Sequence, residues 1–284
     1  ADPLQPGDPL RPLLVLPGLR FDPPPVGRQD AGHVGAVVVL RRDVPKLDEG
    51  LAPAFRISAA VEPLEHAVLH LGDITNLNSV PEWKFARKAM GNLDGIMPYA
   101  FVPGNHDYGP GGNAATRDTF LNDHFKVADY LKWPTFGGVK DTGKMDNTYH
   151  LFSAGGVDFI VLALEWAVQD ETIVWAQSVL DQHPGRTAIL LTHAYMNNND
   201  FRYDHTHTTR PQTYNPHDYS TPGLKNDGQQ LWDKLVKKDN FAFTFNGHVL
   251  GDGTGFRIDN NEGGKPVAQM LANYQMRNLG GESY

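Results

Sequence analysis

The tetrad Gly104-Asn105-His106-Asp107 puts an amide oxygen, an imidazole and a carboxylate in consecutive positions. It follows the apolar run Tyr99-Ala100-Phe101-Val102-Pro103, which reads as a buried strand ending at a turn. Three further polar residues stand in the same kind of place. Asp73 closes an apolar strand over 67–71, His193 one over 188–191, and His248 one over 241–245. Metal-assisted phosphoryl chemistry needs this mixture: hard oxygen and nitrogen donors for a cation, and a proton-transfer group beside them. Taken singly, Asp73 and Asn105 are ordinary turn residues and the two histidines ordinary strand-end residues. In layered α/β folds, however, ligands gather at the carboxyl ends of strands, so four scattered residues can converge on one point.

The elements that would position them follow from periodicity and punctuation. Besides the four strands, a helix is expected over 81–93, opened by Pro81 and with Trp83, Ala86 and Met90 on one face. The runs 148–153 and 157–164, joined by Gly155-Gly156, read as a hairpin. An amphipathic helix is expected over 170–182, another over 226–238, and a last strand over 267–271. Trp83, Trp175 and Trp232 fall on helix faces and are read as core. His66, His70, His124, His150 and His183 default to structural roles, and Glu165-Trp166 is a strand end that could reach the rim of the site, a structural role being at least as plausible. The stretch 197–226 is long, has no periodicity and holds His205, His207, His217 and Tyr203, Tyr214 and Tyr219. Starting just after His193, it reads as a substrate-facing lid, with a solvated loop nearly as plausible. A metal on His205-Thr206-His207 is the weaker reading.

Composition bounds the alternatives. The 284 residues are 40% hydrophobic, enough for one large domain or two small ones. A net charge of −8 with no basic block argues against a nucleic-acid or anionic-membrane surface. With no cysteine, any metal must be held by His, Asp, Glu, Asn or backbone oxygen. No apolar run approaches the roughly 20 residues of a membrane span, and no signal peptide is visible. Residues 1–60 differ from the rest. The first 63 residues hold 11 of the 21 prolines, and only 13–16 and 35–40 look like strands.

The motifs Gly72-Asp73-Ile74, Gly104-Asn105-His106-Asp107, Thr192-His193-Ala194 and Gly247-His248, in that order, resemble the calcineurin-like metallophosphoesterase superfamily. Asn147-Thr148-Tyr149-His150-Leu151-Phe152, Leu164-Glu165-Trp166 and Ala272-Asn273-Tyr274-Gln275 resemble a bacterial, often secreted branch of it. The resemblance implies an α/β fold, a layered α-β-β-α sandwich, over 61–284. It implies hydrolysis of a phosphate monoester or diester by a metal-bound hydroxide, with a small phosphorylated substrate and two divalent or mixed-valence ions of Mn, Fe, Zn or Mg. It implies that Asp73 bridges the two ions and that Asn105, His193 and His248 complete the second metal site. His106 would assist proton transfer or phosphate binding, and Asp107 would orient His106. A secreted or periplasmic location is favoured on the same ground.

The chain departs from the family pattern twice, and both departures affect the first metal. No strand ending Asp-x-His or Asp-x-Gln precedes Asp73: the run 13–16 ends Pro17-Gly18-Leu19-Arg20, leaving Asp2 and Asp22 as weak substitutes. The last motif reads Gly247-His248-Val249-Leu250 and lacks a second histidine, with Asp252 as a poor stand-in. An alternative follows: a catalytically impaired, one-metal or metal-free binding relic of the same fold. The shift in composition is accounted for either by a diverged segment or by an altered reading frame upstream of about Val61, and the C-terminus reads as truncated. Resequencing the coding DNA tests the frame: an insertion or deletion before Val61 is expected if it was altered, and an intact frame excludes it.

Overall fold

The computed structural model describes residues 20–22, 37–41, 67–154, 156–210, 212–273 and 275. The expected strand over 13–16 and the residues Asp2 and His66 lie outside the described residues.

Two sheets stack between two helical layers, as expected for the α-β-β-α arrangement. The smaller sheet has the order β1 (Arg20–Asp22), β2 (Val37–Arg41), β3 (Ala67–His70), β4 (Tyr99–Phe101), with β3 and β4 parallel and the other pairs antiparallel. The larger sheet is built from β5 (Phe136–Val139), β6 (Thr148–Ala154), β7 (Val157–Leu164), β8 (Thr187–Thr192), β9 (Phe241–Asn246), β10 (Thr254–Asn260) and β11 (Pro266–Ala272). Its order is β10-β11-β9-β8-β7-β6-β5, with β11, β9, β8 and β7 mutually parallel at its centre. The helices are α1 (Val80–Met90), α2 (Leu121–His124), α3 (Val127–Tyr130), α4 (Asp170–Gln182) and α5 (Gly228–Lys234).

The period of two along each buried strand sorts side chains into layers. On β7, Phe159, Val161 and Ala163 face the smaller sheet, where they meet Leu69, Leu71, Ala100 and Val102. Ile160, Leu162 and Leu164 face the other way and pack on Ile173, Ala176 and Val179 of α4 and Leu231 of α5. The outer face of the smaller sheet, Val68, Tyr99 and Phe101, is covered by Trp83 and Ala86 of α1 and by Leu121, Phe125 and Tyr130. The aromatic density of that layer compensates for its short helices. Trp83 and Trp232 are core as expected, and Trp175 is half-buried against Tyr149.

Three differences from the sequence reading have local causes. The expected helix over 226–238 breaks at Leu235 (φ −132°, ψ −65°) and resumes as a short 3-10 turn, Val236–Lys238. Strand β10 was not expected because it is an edge strand with mixed exposure and no apolar run. Strand β5 was masked by Gly137-Gly138, whose lack of a side chain lets the Tyr149 ring lie flat on the backbone.

His150 is structural, as read. It is buried on β6, with Nε2 3.0 Å from Thr148 Oγ1 and the Phe136 ring against its edge. Burial pushes its pKa down from 6.5 to about 4. The folded value lies below the unfolded one, so this contribution to stability is complete above about pH 6.5 and is lost as pH falls towards 4. It amounts to roughly 3 kcal/mol over that window. His150→Phe should therefore flatten the acid limb of stability, read as urea midpoints at pH 7 and pH 4.5. An equal drop in both proteins would refute the assignment.

Candidate metal centre

The loops that leave β3, β4, β8 and β9 at their carboxyl ends come together at one end of the sandwich. They bring Asp73, Asn105, His193 and His248 into one buried cluster. The close approach explains the glycines of the motifs. Gly72 has φ +94°, and a Cβ there would overlap the His193 ring. A Cβ on Gly104 would overlap the carboxylate and backbone nitrogen of Asp73. Asp73 and His248 themselves adopt left-handed backbone, φ +50° and +74°. Such conformations cost of order 1–3 kcal/mol each and persist where the surroundings over-determine them.

The proton positions follow from the hydrogen bonds. His193 Nδ1 lies 2.7 Å from the Leu71 carbonyl oxygen, which can only accept, so Nδ1 carries the hydrogen. Its Nε2 then faces Asp73 Oδ1 and Asn105 Oδ1, each at 3.2 Å. His248 Nε2 donates to the Tyr214 carbonyl at 2.9 Å, and its Nδ1 lone pair faces His193 Nε2 at 3.1 Å. With both rings neutral, four lone-pair atoms face one another with no donor among them. A cation about 2.0–2.2 Å from each donor spaces neighbouring donors about 2.8–3.6 Å apart, so the geometry and the nitrogen-oxygen chemistry fit a divalent transition ion.

The electrostatics point the same way. Burial disfavours charge on both Asp73 and His193, but each sustains the other. The histidine holds the Asp73 carboxyl well below the usual carboxylate range, and Asp73 raises His193. His248 is pushed down to about 3, by burial and then by the charge of His193. The cluster thus accepts one positive charge: a proton on His193, or a cation in its place.

His106 is beside the cluster and does not join it. Its backbone N–H donates to Asp73 Oδ1 at 3.0 Å, and its ring Nδ1 donates to the Asn76 carbonyl at 2.9 Å. The orienting group therefore differs from the one expected. Asp107 does not touch the His106 ring. Its fully buried carboxylate accepts from the backbone N–H of Ile74 (2.9 Å), Thr75 (2.7 Å) and Gly104 (2.8 Å) and from Thr75 Oγ1 (2.8 Å). It ties the Asp73 loop to the Asn105 loop. Burial, and then the Asp73 charge, push its pKa up to about 6.

Other expectations resolve into structure. Glu165 is buried in an ion pair with Arg117 (3.0 Å) and accepts from Thr172 Oγ1 (2.6 Å), while Trp166 stacks its edge near His193 and His248, ring centroids 5.8 and 4.9 Å apart. His70 is buried, and its Nδ1 accepts from the Gly72 N–H at 3.3 Å, supporting the turn that presents Asp73. Asp252 is exposed and accepts from Thr254 N in its own turn. The Asp22 side chain lies outside the described residues. Among the described residues, no fourth His or acidic ligand atom joins the cluster of Asp73, His193 and His248. The sequence reading missed the three carbonyls that fix the rings, Leu71, Asn76 and Tyr214, because a backbone oxygen leaves no mark in residue type. Tyr214 belongs to the stretch singled out as a lid, and its 3-10 turn Pro216–Asp218 is followed by Tyr219 near His248 (5.9 Å between centroids).

A family model described as calcineurin-like phosphoesterase matches residues 45–252. The chain is also 31% identical over 230 residues to the uncharacterized protein YvnB of Bacillus subtilis (strain 168). That match takes in 76% of this chain and 15% of the relative, so the chain spans only a small part of that protein's length.

The clamp at Asp107 is testable. Asp107→Ala leaves four donors without their acceptor and should cost about 3–5 kcal/mol in urea unfolding, with metal affinity falling roughly 10–100-fold as both loops loosen. His106→Ala, which keeps its backbone N–H on Asp73, should stay within about 1 kcal/mol of the parent. Equal losses in the two variants would refute the clamp.

Proposed function

The chain belongs to the calcineurin-like phosphoesterase family, and from that premise we propose that it hydrolyses a small phosphate ester at a cation held by Asp73, Asn105, His193 and His248. The observation that carries this reading is the gathering of Asp73 Oδ1, Asn105 Oδ1 and His248 Nδ1 at 3.1–3.2 Å around His193 Nε2, with His106 bonded to Asp73 through its backbone N–H. When bound, a divalent ion supplies Lewis-acid polarisation of the phosphate and a water of lowered pKa. The protein's own groups do the rest. Asp73 and Asn105 are presented by loops locked together through Asp107, so the donors are preorganised before any ligand arrives. His106 has Nδ1–H committed to the Asn76 carbonyl, which leaves Nε2 as the atom that, when the ring is in its imidazolium form, donates to a phosphate oxygen or delivers a proton to the leaving oxygen. Trp166 and Tyr219 wall the His248 side.

The donor set on the described residues is complete for one cation, and the reading asks for no more than one. The dinuclear version, with Asp73 bridging, needs ligands beyond this cluster.

Protein stripped by chelation and reloaded with Mn²⁺ should turn over p-nitrophenyl phosphate or bis(p-nitrophenyl) phosphate. His106→Ala should lower kcat by about 10²–10⁴ with metal content unchanged. Asp73→Asn should lose both metal and turnover. Metal bound at full occupancy with neither ester hydrolysed would sink the proposal and leave the binding relic as the better description.

A further inference from the structure

A second donor cluster is built on the other side of the lid segment. Asp227 is fully buried and caps α5, with Oδ1 accepting from Gln230 N at 3.0 Å. Its other oxygen, Oδ2, accepts from the His205 backbone N–H at 2.7 Å. The same oxygen lies 2.8 Å from His205 Nδ1 and 3.9 Å from His217 Nε2. The two imidazoles stack with centroids 3.9 Å apart and planes inclined by 30°. All three donor atoms lie within 4.8 Å of one another. His207, the sequence neighbour read as a partner for His205, is half-buried and accepts from Thr209 N instead.

We propose that His205, His217 and Asp227 form a second site, structural in role, for a divalent transition-metal ion of the zinc class. Two imidazole nitrogens and one carboxylate oxygen are a zinc donor set, and Gln230 Oε1, 2.8 Å from His217 Nε2, marks the direction of a fourth ligand. A tetrahedral ion about 2.0–2.1 Å from each donor spaces them about 3.3–3.4 Å apart. The observed 2.8 and 3.9 Å bracket that spacing, and the two rings must splay from their 3.9 Å stack to aim both lone pairs at one ion. Each neutral ring offers the required nitrogen in its other tautomer, with no change in charge. Asp227 is already oriented by the α5 cap and by His205 N, which is how carboxylate ligands are held in metal sites.

The consequence is mechanical. His205 and His217 bracket Tyr214, whose carbonyl receives the His248 N–H at the first cluster. An ion on the second cluster therefore fastens both stems of the segment to α5 and holds Tyr214 against the candidate centre. This site stands whether or not the first cluster hydrolyses an ester.

The test uses the full chain, stripped by chelation and reloaded with Zn²⁺, with bound metal counted by elemental analysis after gel filtration. His205→Gln/His217→Gln should bind one zinc fewer per chain than the parent. Its zinc-loaded form should also be cut faster by a protease between residues 205 and 217. In the Asp73→Asn/His193→Ala background, one zinc should remain and should vanish when the two glutamines are added. Should that background fail to fold, Co²⁺ loading of the parent serves instead: the visible absorption of a tetrahedral cobalt site should be reduced in the His205→Gln/His217→Gln protein. Unchanged zinc stoichiometry and unchanged cobalt absorption in that variant would overturn the proposal.

Discussion

The Asp107 carboxylate is fully buried and, among the described residues, is satisfied by four donors from two loops. A buried carboxylate without such partners would cost several kcal/mol. The loops after β3 and β4 therefore cannot separate without exposing an unpaired charge to an apolar interior. Because one loop carries Asp73 and the other Asn105 and His106, the arrangement of the candidate centre is inherited from this bond network. Two carboxylates, Asp73 and Asp107, are held in the same buried region, which raises the demand for positive charge at the cluster.

The second half of the centre comes from the larger sheet, and the join between halves is a histidine. His193 donates to the Leu71 carbonyl across the sandwich, so the ring that turns a lone pair toward the candidate centre also pins β8 to the chain leaving β3. The apolar layer beneath, Leu69 and Val102 against Ile189, Leu191 and Phe245, keeps the two sheets in register for that contact. Core packing and donor geometry are thus one constraint: a shift between sheets would move Nε2 away from Asp73 and Asn105 together. The left-handed backbone at Asp73 and His248 is tolerated because these same contacts hold it.

The segment between β8 and α5 joins the core through Ala194, Tyr195, Met196 and Tyr203, and polar ties fix the rest of it. Arg202 bonds Asp259 and Gln269, Tyr203 is fully buried with its hydroxyl on the Thr213 carbonyl, and Asp227 gathers His205 and His217. These ties explain how a stretch with no periodicity can present one backbone carbonyl, that of Tyr214, to His248.

By itself the sequence singled out the candidate residues and the kind of place in which they stand. Apolar runs stopping at Asp73, Asn105, His193 and His248 were legible because strand burial is written locally, in a few consecutive residues. The helix over 170–182 and the hairpin around Gly155-Gly156 were legible for the same reason. Strands β5 and β10 were not, since glycine and half-exposed edge positions carry no apolar period. Tertiary structure alone decided which atoms face one another. Asp107 bonds Ile74 and Thr75 rather than the neighbouring ring, His106 is oriented by Asn76, and His205 pairs with His217 and Asp227 rather than with His207. These are contacts between segments distant in the chain, several of them to backbone oxygens identical in every residue. Their geometry follows from how two sheets and a long loop pack, and residue order does not encode that packing locally.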